Sequence, residues 1–186
     1  DISRRYNIGL IDLKNDKMLH IKEANFSFEV CEKAYKADFI INLPVLKGHC
    51  QVQMTCALKN MKGCISDREK RRFHSLGLQK PIAYLNRVLH QDFIVVDALQ
   101  GDLSFEEGGN PVRMDRIFAG IDPVLIDAYS ASLMGFSKGE IPYIDIAEEI
   151  GLGSTDLSSI ELIELEQSLP QIKNSTRFQY NRTANS

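Results

Sequence analysis

The chain has no tryptophan, only 8% aromatic residues, and no apolar stretch near the ~20 residues that a membrane-spanning helix needs. The missing apolar run predicts that the chain does not cross a membrane. A formal charge of −3 excludes the strongly basic balance that is typical of nucleic-acid-binding proteins. With 44% hydrophobic and 25% charged residues, the 186-residue chain has the composition of one ordinary globular domain.

Several motifs of catalytic and cofactor-binding sites are missing as well. There is no G-x-x-x-x-G-K-[ST] phosphate-binding loop and no G-x-S-x-G nucleophile elbow. The four cysteines, Cys31, Cys50, Cys56 and Cys64, include no C-x-x-C pair. We therefore expect no iron–sulfur cluster on this chain alone, and reduced thiols, which favour a cytoplasmic location. The chain starts at Asp1 without a signal-peptide pattern, which is compatible with a partial domain truncated at its N-terminus.

Short apolar runs alternate with amphipathic stretches along the chain, and this alternation is typical of an α/β fold. We predict a single α/β domain over residues 1–169, in which a parallel or mixed sheet is flanked by helices in three layers, and a polar tail over 170–186. The predicted strands are 39–43 and 93–98, which are the clearest, and 8–13, 116–119 and 160–165. The predicted helices are 27–36, 51–61, 81–90, 122–135 and 142–150.

Positive charge is concentrated in the window 39–91, which has nine Lys or Arg residues against two acids. The window therefore has a local charge of +7, and the remainder of the chain has −10. An electropositive region in an acidic protein attracts a small anion, whereas the acidic remainder repels a polyanion. This distribution predicts a small anionic ligand. The alternative is that these charges cluster by chance and face solvent.

Over residues 51–62, helical spacing places Thr55, Lys59 and Lys62 on one face, opposite an apolar stripe. The strand before it is followed by Lys47, Gly48 and His49. Ligands of α/β sheets bind beyond the carboxyl ends of strands, and a glycine there permits close approach of the backbone. We predict that His49, as a proton relay, and Lys59 are catalytic. The predicted ligand-binding residues are Lys47, Gly48, Thr55 and Lys62; a purely structural role for lysines near a helix C-terminus is the alternative.

Three stretches of the chain carry a family resemblance. They are INLPVLKGH at 41–49, ALKNMKGC at 57–64 with His74 downstream, and AGIDPVLIDA at 119–128. These stretches resemble the domain of unknown function 362 family. The resemblance adds Asn60 and His74 to the predicted ligand-binding residues. It implies an uncharacterised bacterial protein whose relatives are associated with iron–sulfur clusters.

Two functional hypotheses follow from the basic window and the resemblance together. The first is an anion-binding site within an iron–sulfur-linked redox enzyme. The second is a non-catalytic module that docks an acidic, ferredoxin-like partner through its basic edge. The two hypotheses differ in the salt dependence that they predict for the interaction.

An acidic group after the predicted strand 93–98 supports a third hypothesis. Asp97, Asp102 and Glu106 are carboxylates of the kind that hold Mg²⁺, and they predict a divalent metal site in a hydrolase or transferase. Ordinary loop acidity explains the same residues. A zinc or iron site at His49 and His74 with a nearby cysteine, and a nucleophilic Cys56 or Cys64, are further alternatives, and the sequence spacing supports neither of them.

Overall fold

The structure of the chain is a computed structural model that describes residues 2–104 and 110–163. The strands are β1 (Met18–Glu23), β2 (Phe26–Cys31), β3 (Ile41–Asn42), β4 (Lys47–His49), β5 (Gln53–Thr55), β6 (Phe93–Asp102) and β7 (Pro111–Gly120). The helices are α1 (Ile2–Tyr6), α2 (Glu32–Tyr35), α3 (Ala57–Asn60), α4 (Asp67–Ser75), α5 (Gln79–Val88), α6 (Pro123–Leu133) and α7 (Pro142–Glu149). Within these described ranges, none of the helices has both the length and the apolar character needed to cross a bilayer. The predicted domain boundary at residue 169 lies outside the described residues and stays a prediction.

A three-stranded mixed sheet is built from β3, β6 and β7, in that order. β3 runs parallel to β6, with Ile41 beside Phe93, whereas β7 runs antiparallel to β6, with Gly120 beside Ile94. One face of β6 is fully buried in a hydrophobic core to which α3, α5 and α6 also contribute. The predicted α/β class, with a mixed sheet flanked by helices, is confirmed.

Two antiparallel hairpins lie outside this sheet. The hairpin β1–β2 places Phe28 and Val30 in the core. The hairpin β4–β5 is only three residues long on each side. The chain before it stays beside β6, because the Leu46 N–H donates to the Asp97 carbonyl at 2.9 Å. The short hairpin therefore lies just beyond the carboxyl end of β3.

The helix predicted at 122–135 is confirmed as α6, and its capping chemistry is the one expected. The Asp122 carboxylate accepts the Val124 N–H at 2.8 Å and the Leu125 N–H at 3.0 Å, and Pro123 fills the first helical position. Gly135 follows the helix with a φ of +85°, a conformation that favours glycine. The helices predicted at 81–90 and 142–150 are likewise confirmed as α5 and α7 within two residues.

The helix predicted at 51–61 is wrong in its first half. Residues 53–55 form β5, and only α3, followed by a 3₁₀ turn at Met61–Cys64, is helical. The His49 ring accepts the backbone N–H groups of Gln51 and Val52 at 3.2 and 3.3 Å, and this contact turns the chain into a hairpin. Since Thr55 is in a strand, the single helical face proposed for Thr55, Lys59 and Lys62 does not exist.

Other predicted elements are shifted or absent. Residues 27–36 form β2 and the short α2 rather than one helix, because burial alternates there with the period of a strand. Residues 8–13 form no strand, and Leu10 is 88% exposed to solvent. The strand 39–43 shrinks to β3, whereas 93–98 and 116–119 lie within the longer β6 and β7. Residues 160–163 form no strand, and 164–165 lie outside the described residues.

Candidate functional site

The hairpin β4–β5 brings together three of the predicted site residues. Lys47 pairs with Thr55 across the hairpin, and His49 follows Lys47 by two residues. Because strand side chains alternate and direct cross-strand partners share a face, Lys47, His49 and Thr55 lie on one face of the hairpin. His49 and Thr55 are buried and Lys47 is half-buried.

Thr55 has a polar atom that the protein leaves unused. The residue is 7% exposed, and in the described part of the chain its Oγ1 is the buried side-chain oxygen without a hydrogen-bond partner. Burying a hydroxyl without a partner costs roughly 1 to 3 kcal/mol on the scale of protein substitutions. A hydroxyl retained in that state, beside a lysine, points to a polar partner from outside the described chain.

His49 and His74 are connected through Gln51. The Nδ1 atom of His49 accepts the Gln51 and Val52 N–H groups, so the proton of the neutral ring lies on Nε2. The Gln51 side-chain carbonyl lies 2.8 Å from Nδ1 of His74, which is at the end of α4. The two predicted histidines therefore border the same turn, His49 buried and His74 exposed.

Gly48 is required by a close backbone approach on the other face of the hairpin. A Cβ at this position would lie 2.5 Å from the Leu103 carbonyl oxygen and 2.7 Å from the Ser104 carbonyl carbon. The glycine that the sequence suggested for close approach of a ligand is therefore pressed against the chain that follows β6.

Lys59 and Asn60 lie in α3, directly after the hairpin. Lys59 is only 7% exposed, which is unusual for a lysine. The start of α3 is held by Asp127 of α6, whose carboxylate accepts the Ala57 N–H at 2.7 Å and the Leu58 N–H at 3.2 Å. Burial raises the pKa of the Asp127 carboxyl to about 7, although these N–H groups act to lower it. The first two N–H groups of α3 are thus taken by the protein itself.

Buried carboxamides hold the carbonyl groups of the same helix. Asn42 donates to the Ala57 carbonyl at 3.0 Å and to Gln91, and it accepts from Asn60 at 2.7 Å. Asn86 donates to the Leu58 carbonyl at 2.9 Å and accepts from Gln91 at 2.8 Å. The first two residues of α3 are therefore held, through their N–H and carbonyl groups, by side chains from β3, α5 and α6. Sequence reasoning missed this network, and the signal was a set of polar residues within apolar stretches: Asn42, Asn86, Gln91 and Asp127.

Lys62 lies apart from the hairpin face. Its ammonium group is 5.9 Å from the centre of the Phe73 ring, a distance at which a cation is attracted to the aromatic face. Phe73 is buried and adjoins His74 on α4. Lys62 therefore lies beside α4. Lys47 and Thr55 lie together at the open end of the hairpin, away from its turn.

Two cysteines near the site are poor candidates for a nucleophile. Burial raises the pKa of the Cys64 thiol to about 11 and that of Cys56 well above its ordinary value. Cys56 lies 3.2 Å from the Ser130 hydroxyl in the interior, and Asp127 raises its pKa further. Both cysteines are therefore thiols at neutral pH rather than reactive thiolates.

The predicted metal ligands are separated in the described residues. Asp97 is exposed on β6, and its carboxylate accepts the Leu99 N–H at 3.0 Å. Asp102 is buried, and its two oxygens accept from Ser104 and from the Asn110 N–H. Among residues 2–104 and 110–163, no three His, Cys, Asp or Glu side chains are grouped closely enough to hold a metal ion. Glu106 lies outside the described residues, so the metal site stays a prediction.

Comparisons with known proteins assign the chain to a group. Residues 1–132 match the family described as "Domain of unknown function (DUF362)". Over 160 residues the chain is 24% identical to the thylakoid-associated protein sll1697 of Synechocystis sp. (strain ATCC 27184 / PCC 6803 / Kazusa). The match covers 80% of this chain and 49% of that protein. The chain thus spans about half the length of this curated relative.

Proposed function

The chain belongs to the DUF362 family, as its motifs predicted, and we propose that it binds a small anionic substrate or cofactor at the open end of the hairpin β4–β5. The observation that carries this proposal is the buried Thr55 hydroxyl without a partner, directly across the hairpin from Lys47. Lys59, four residues beyond Thr55 and buried, is the second basic residue that we assign to this site.

These groups suit a phosphate or carboxylate oxygen. Two ammonium groups neutralise negative charge, and a hydroxyl donates one directed hydrogen bond. Because the region is largely withdrawn from water, such contacts are stronger than at an exposed surface. The N–H groups at the start of α3 are occupied by Asp127, so the anion would be held by side chains.

His49 supplies acid–base chemistry in this proposal. Its Nδ1 atom is committed to two backbone N–H groups, which makes Nε2 the nitrogen that would exchange a proton with a ligand. Lys59 would then stabilise the charge that develops. Gly48 and Asn60 act on the backbone around this site rather than on the ligand, since one admits the chain after β6 and the other bonds Asn42.

The ion pairs of α4 favour a small ligand over an acidic protein partner, because they neutralise the positive charge of the helix. Arg68 pairs with Glu29 at 2.8 Å, and Lys70 pairs with Asp67 at 3.0 Å. Arg72 is likewise paired within the helix. Because carboxylates neutralise these basic residues, they offer little attraction to an acidic surface, and docking of a ferredoxin-like partner remains the second candidate.

The iron–sulfur-linked redox role and the cytoplasmic location stay predictions, and the thylakoid association of the relative is a further location to test.

Lys59→Met tests the anion site, because methionine preserves most of the volume and removes the charge. Thermal unfolding is followed with inorganic phosphate, with malonate, and with sodium chloride at equal ionic strength. We expect phosphate or malonate to raise the Tm of the wild-type chain and to raise that of Lys59→Met much less. Lys80→Met, at an exposed position of α5, is the matched control and should keep the full rise.

Two outcomes would contradict the anion site. One is an equal rise in Tm for both lysine variants, and the other is no rise for the wild-type chain with either anion. The docking alternative predicts a different result: no small-anion effect, and binding to an acidic ferredoxin that weakens with salt. The metal hypothesis predicts a rise in Tm with Mg²⁺ or Mn²⁺ that Asp102→Asn removes.

A further inference from the structure

Two cysteines adjoin the contact between β2 and the chain that follows α3. Val30 of β2 forms an isolated antiparallel bridge with Ile65. In antiparallel chains, the residue after one partner lies opposite the residue before the other. Continued by one position, the register of this bridge therefore places Cys31, at the end of β2, opposite Cys64, at the end of the 3₁₀ turn.

Side-chain contacts support the same register on the other side of the bridge. There it places Glu29 opposite Ser66, and the Ser66 hydroxyl donates to the Glu29 carboxylate at 2.5 Å. Arg68 also pairs with Glu29, at 2.8 Å. Because side chains alternate along a strand, Cys31 lies on the same face of β2 as Glu29. The pairing of Glu29 with Ser66 thus favours a direct pairing of Cys31 with Cys64.

The two thiols are close enough to affect each other electrostatically. Burial, and next the neighbouring Cys31, raise the pKa of the Cys64 thiol to about 11, whereas Lys70 acts to lower it. Burial also raises the pKa of Cys31, against the same effect of Lys70. Cys31 is 1% exposed and its thiol donates to the Leu13 carbonyl at 3.3 Å, whereas Cys64 is half-buried. A reagent from solvent therefore reaches the Cys64 sulfur first.

We propose that Cys31 and Cys64 are a redox-active pair, which a low-molecular-weight disulfide such as oxidised glutathione converts into an intramolecular disulfide. The Cys64 thiolate attacks one sulfur of the reagent, forms a mixed disulfide with it and releases one thiol. The Cys31 sulfur then attacks the Cys64 sulfur and displaces the second thiol. The protein loses two electrons and two protons, and the reagent takes them up as two thiols.

The register provides nearly the geometry that this bond needs. Directly opposed residues have Cβ atoms roughly 4.5 to 5.5 Å apart, and a disulfide needs roughly 3.5 to 4.5 Å. The bond would close residues 31–64 into a loop that contains the hairpin β4–β5 and α3. A closed loop restricts the unfolded chain, so we expect oxidation to stabilise the fold. This inference does not depend on the anion site.

Incubation of the chain with oxidised glutathione at about pH 8.5, where more thiolate is present than at neutral pH, tests the proposal. The products are alkylated and mapped by mass spectrometry of peptides without reduction. We expect the peptides that contain Cys31 and Cys64 to be joined, with the loss of two hydrogen atoms. Cys50, exposed in the turn of the hairpin, should carry one glutathione. A glutathione retained on Cys64, a bond from either thiol to Cys50, or no reaction at either would overturn the proposal.

Competition with reduced glutathione distinguishes a pre-arranged pair from two separate thiols. Because the sulfurs are held opposite each other, their bond should withstand a concentration of reduced glutathione that removes the adduct from Cys50. Release of the bond at or below that concentration would contradict the paired geometry.

Two variants complete the test. Cys50→Ser, the matched control, should keep the bond, and its Tm should rise by several degrees on oxidation. Cys64→Ser should form no bond and show no such rise. A cross-linked Cys50→Ser chain whose Tm fails to rise would mean that the bond strains the fold, which contradicts a pre-arranged pair.

Discussion

The helix α3 and the hairpin β4–β5 are neighbours in sequence, but they differ in whether their buried polar groups have hydrogen-bond partners. Around α3, buried side chains from three other elements bond to its N–H and carbonyl groups. On the hairpin, the Thr55 hydroxyl is buried and has no partner in the described chain. Polar groups of the first region hold the backbone, whereas our proposed anion site uses the Thr55 hydroxyl of the second. In our proposal, this difference separates structural residues from ligand-binding residues.

Loss of the Asp127 carboxylate is expected to have the largest effect, because it tests the structural half of this comparison. Asp127→Ala leaves the Ala57 and Leu58 N–H groups buried without an acceptor. Each unsatisfied group costs roughly 1 to 3 kcal/mol, so we expect a loss of about 4 kcal/mol in the free energy of unfolding, measured with urea. Asp67→Ala, at an exposed pair with Lys70, should change it by less than about 0.5 kcal/mol.

A loss for Asp127→Ala as small as that for Asp67→Ala would contradict the structural role of Asp127. It would mean that water or a shift of the backbone satisfies the start of α3. The carboxamides around Ala57 and Leu58 would then be sufficient to hold the helix, and Asp127 would have to be explained by another role.

The pH dependence of stability sharpens the same point, with an effect expected to be smaller. The pKa of Asp127 is raised from 3.8 to about 7 in the folded chain by burial. Between these values the folded state holds a proton that the unfolded state releases, so this group makes stability fall as pH rises from about 4 to 7. Asp127→Asn cannot titrate. We expect the stability of the wild type relative to Asp127→Asn to decline across that window and to level off above it.

Urea midpoints of the two proteins, measured at intervals from pH 4 to 8, check this prediction. A difference that is constant with pH would mean that Asp127 has an ordinary pKa. A difference that grows in favour of the wild type as pH rises would mean that the Ala57 and Leu58 N–H groups outweigh burial and lower the pKa.

Local chemistry explains which elements the sequence could predict. α6 was predictable because two adjacent residues determine where the helix begins: Asp122 caps it, and Pro123 fills its first position. β6 was predictable because a continuous apolar run has few other uses. The hairpin was not, because Met54, Ala57 and Met61 have helical spacing although Met54 belongs to a strand. Whether this stretch forms a hairpin or a helix depends on the turn that the His49 ring stabilises. The spacing of apolar residues carries no information about that contact.

The sequence indicated the residue types of the proposed site, but not their arrangement. The basic window pointed to Lys47, His49 and Lys59, and the structure places all three on adjoining elements. Thr55 was grouped with Lys59 and Lys62 by a helical period, whereas its direct neighbour is Lys47 across the hairpin. The network around α3 was missed because its bonds to α3 join residues that are 15 to 70 positions apart.

Thr55→Val has the smallest expected effect on stability and is the most direct test of the functional half. Valine matches the shape of threonine and removes the hydroxyl that lacks a partner, so we expect the unliganded chain to gain about 1 kcal/mol in the free energy of unfolding. The rise in Tm with phosphate or malonate should shrink in the same variant, because the hydroxyl no longer donates to the anion.

The matched control is Thr155→Val, because the Thr155 hydroxyl donates to Glu148 at 2.8 Å. That substitution should lower the free energy of unfolding, because it removes a hydroxyl that makes a hydrogen bond. It should leave the rise in Tm with phosphate or malonate unchanged. If Thr55→Val loses stability as Thr155→Val does, its hydroxyl is already satisfied in the protein, and the hairpin is no different from the surroundings of α3.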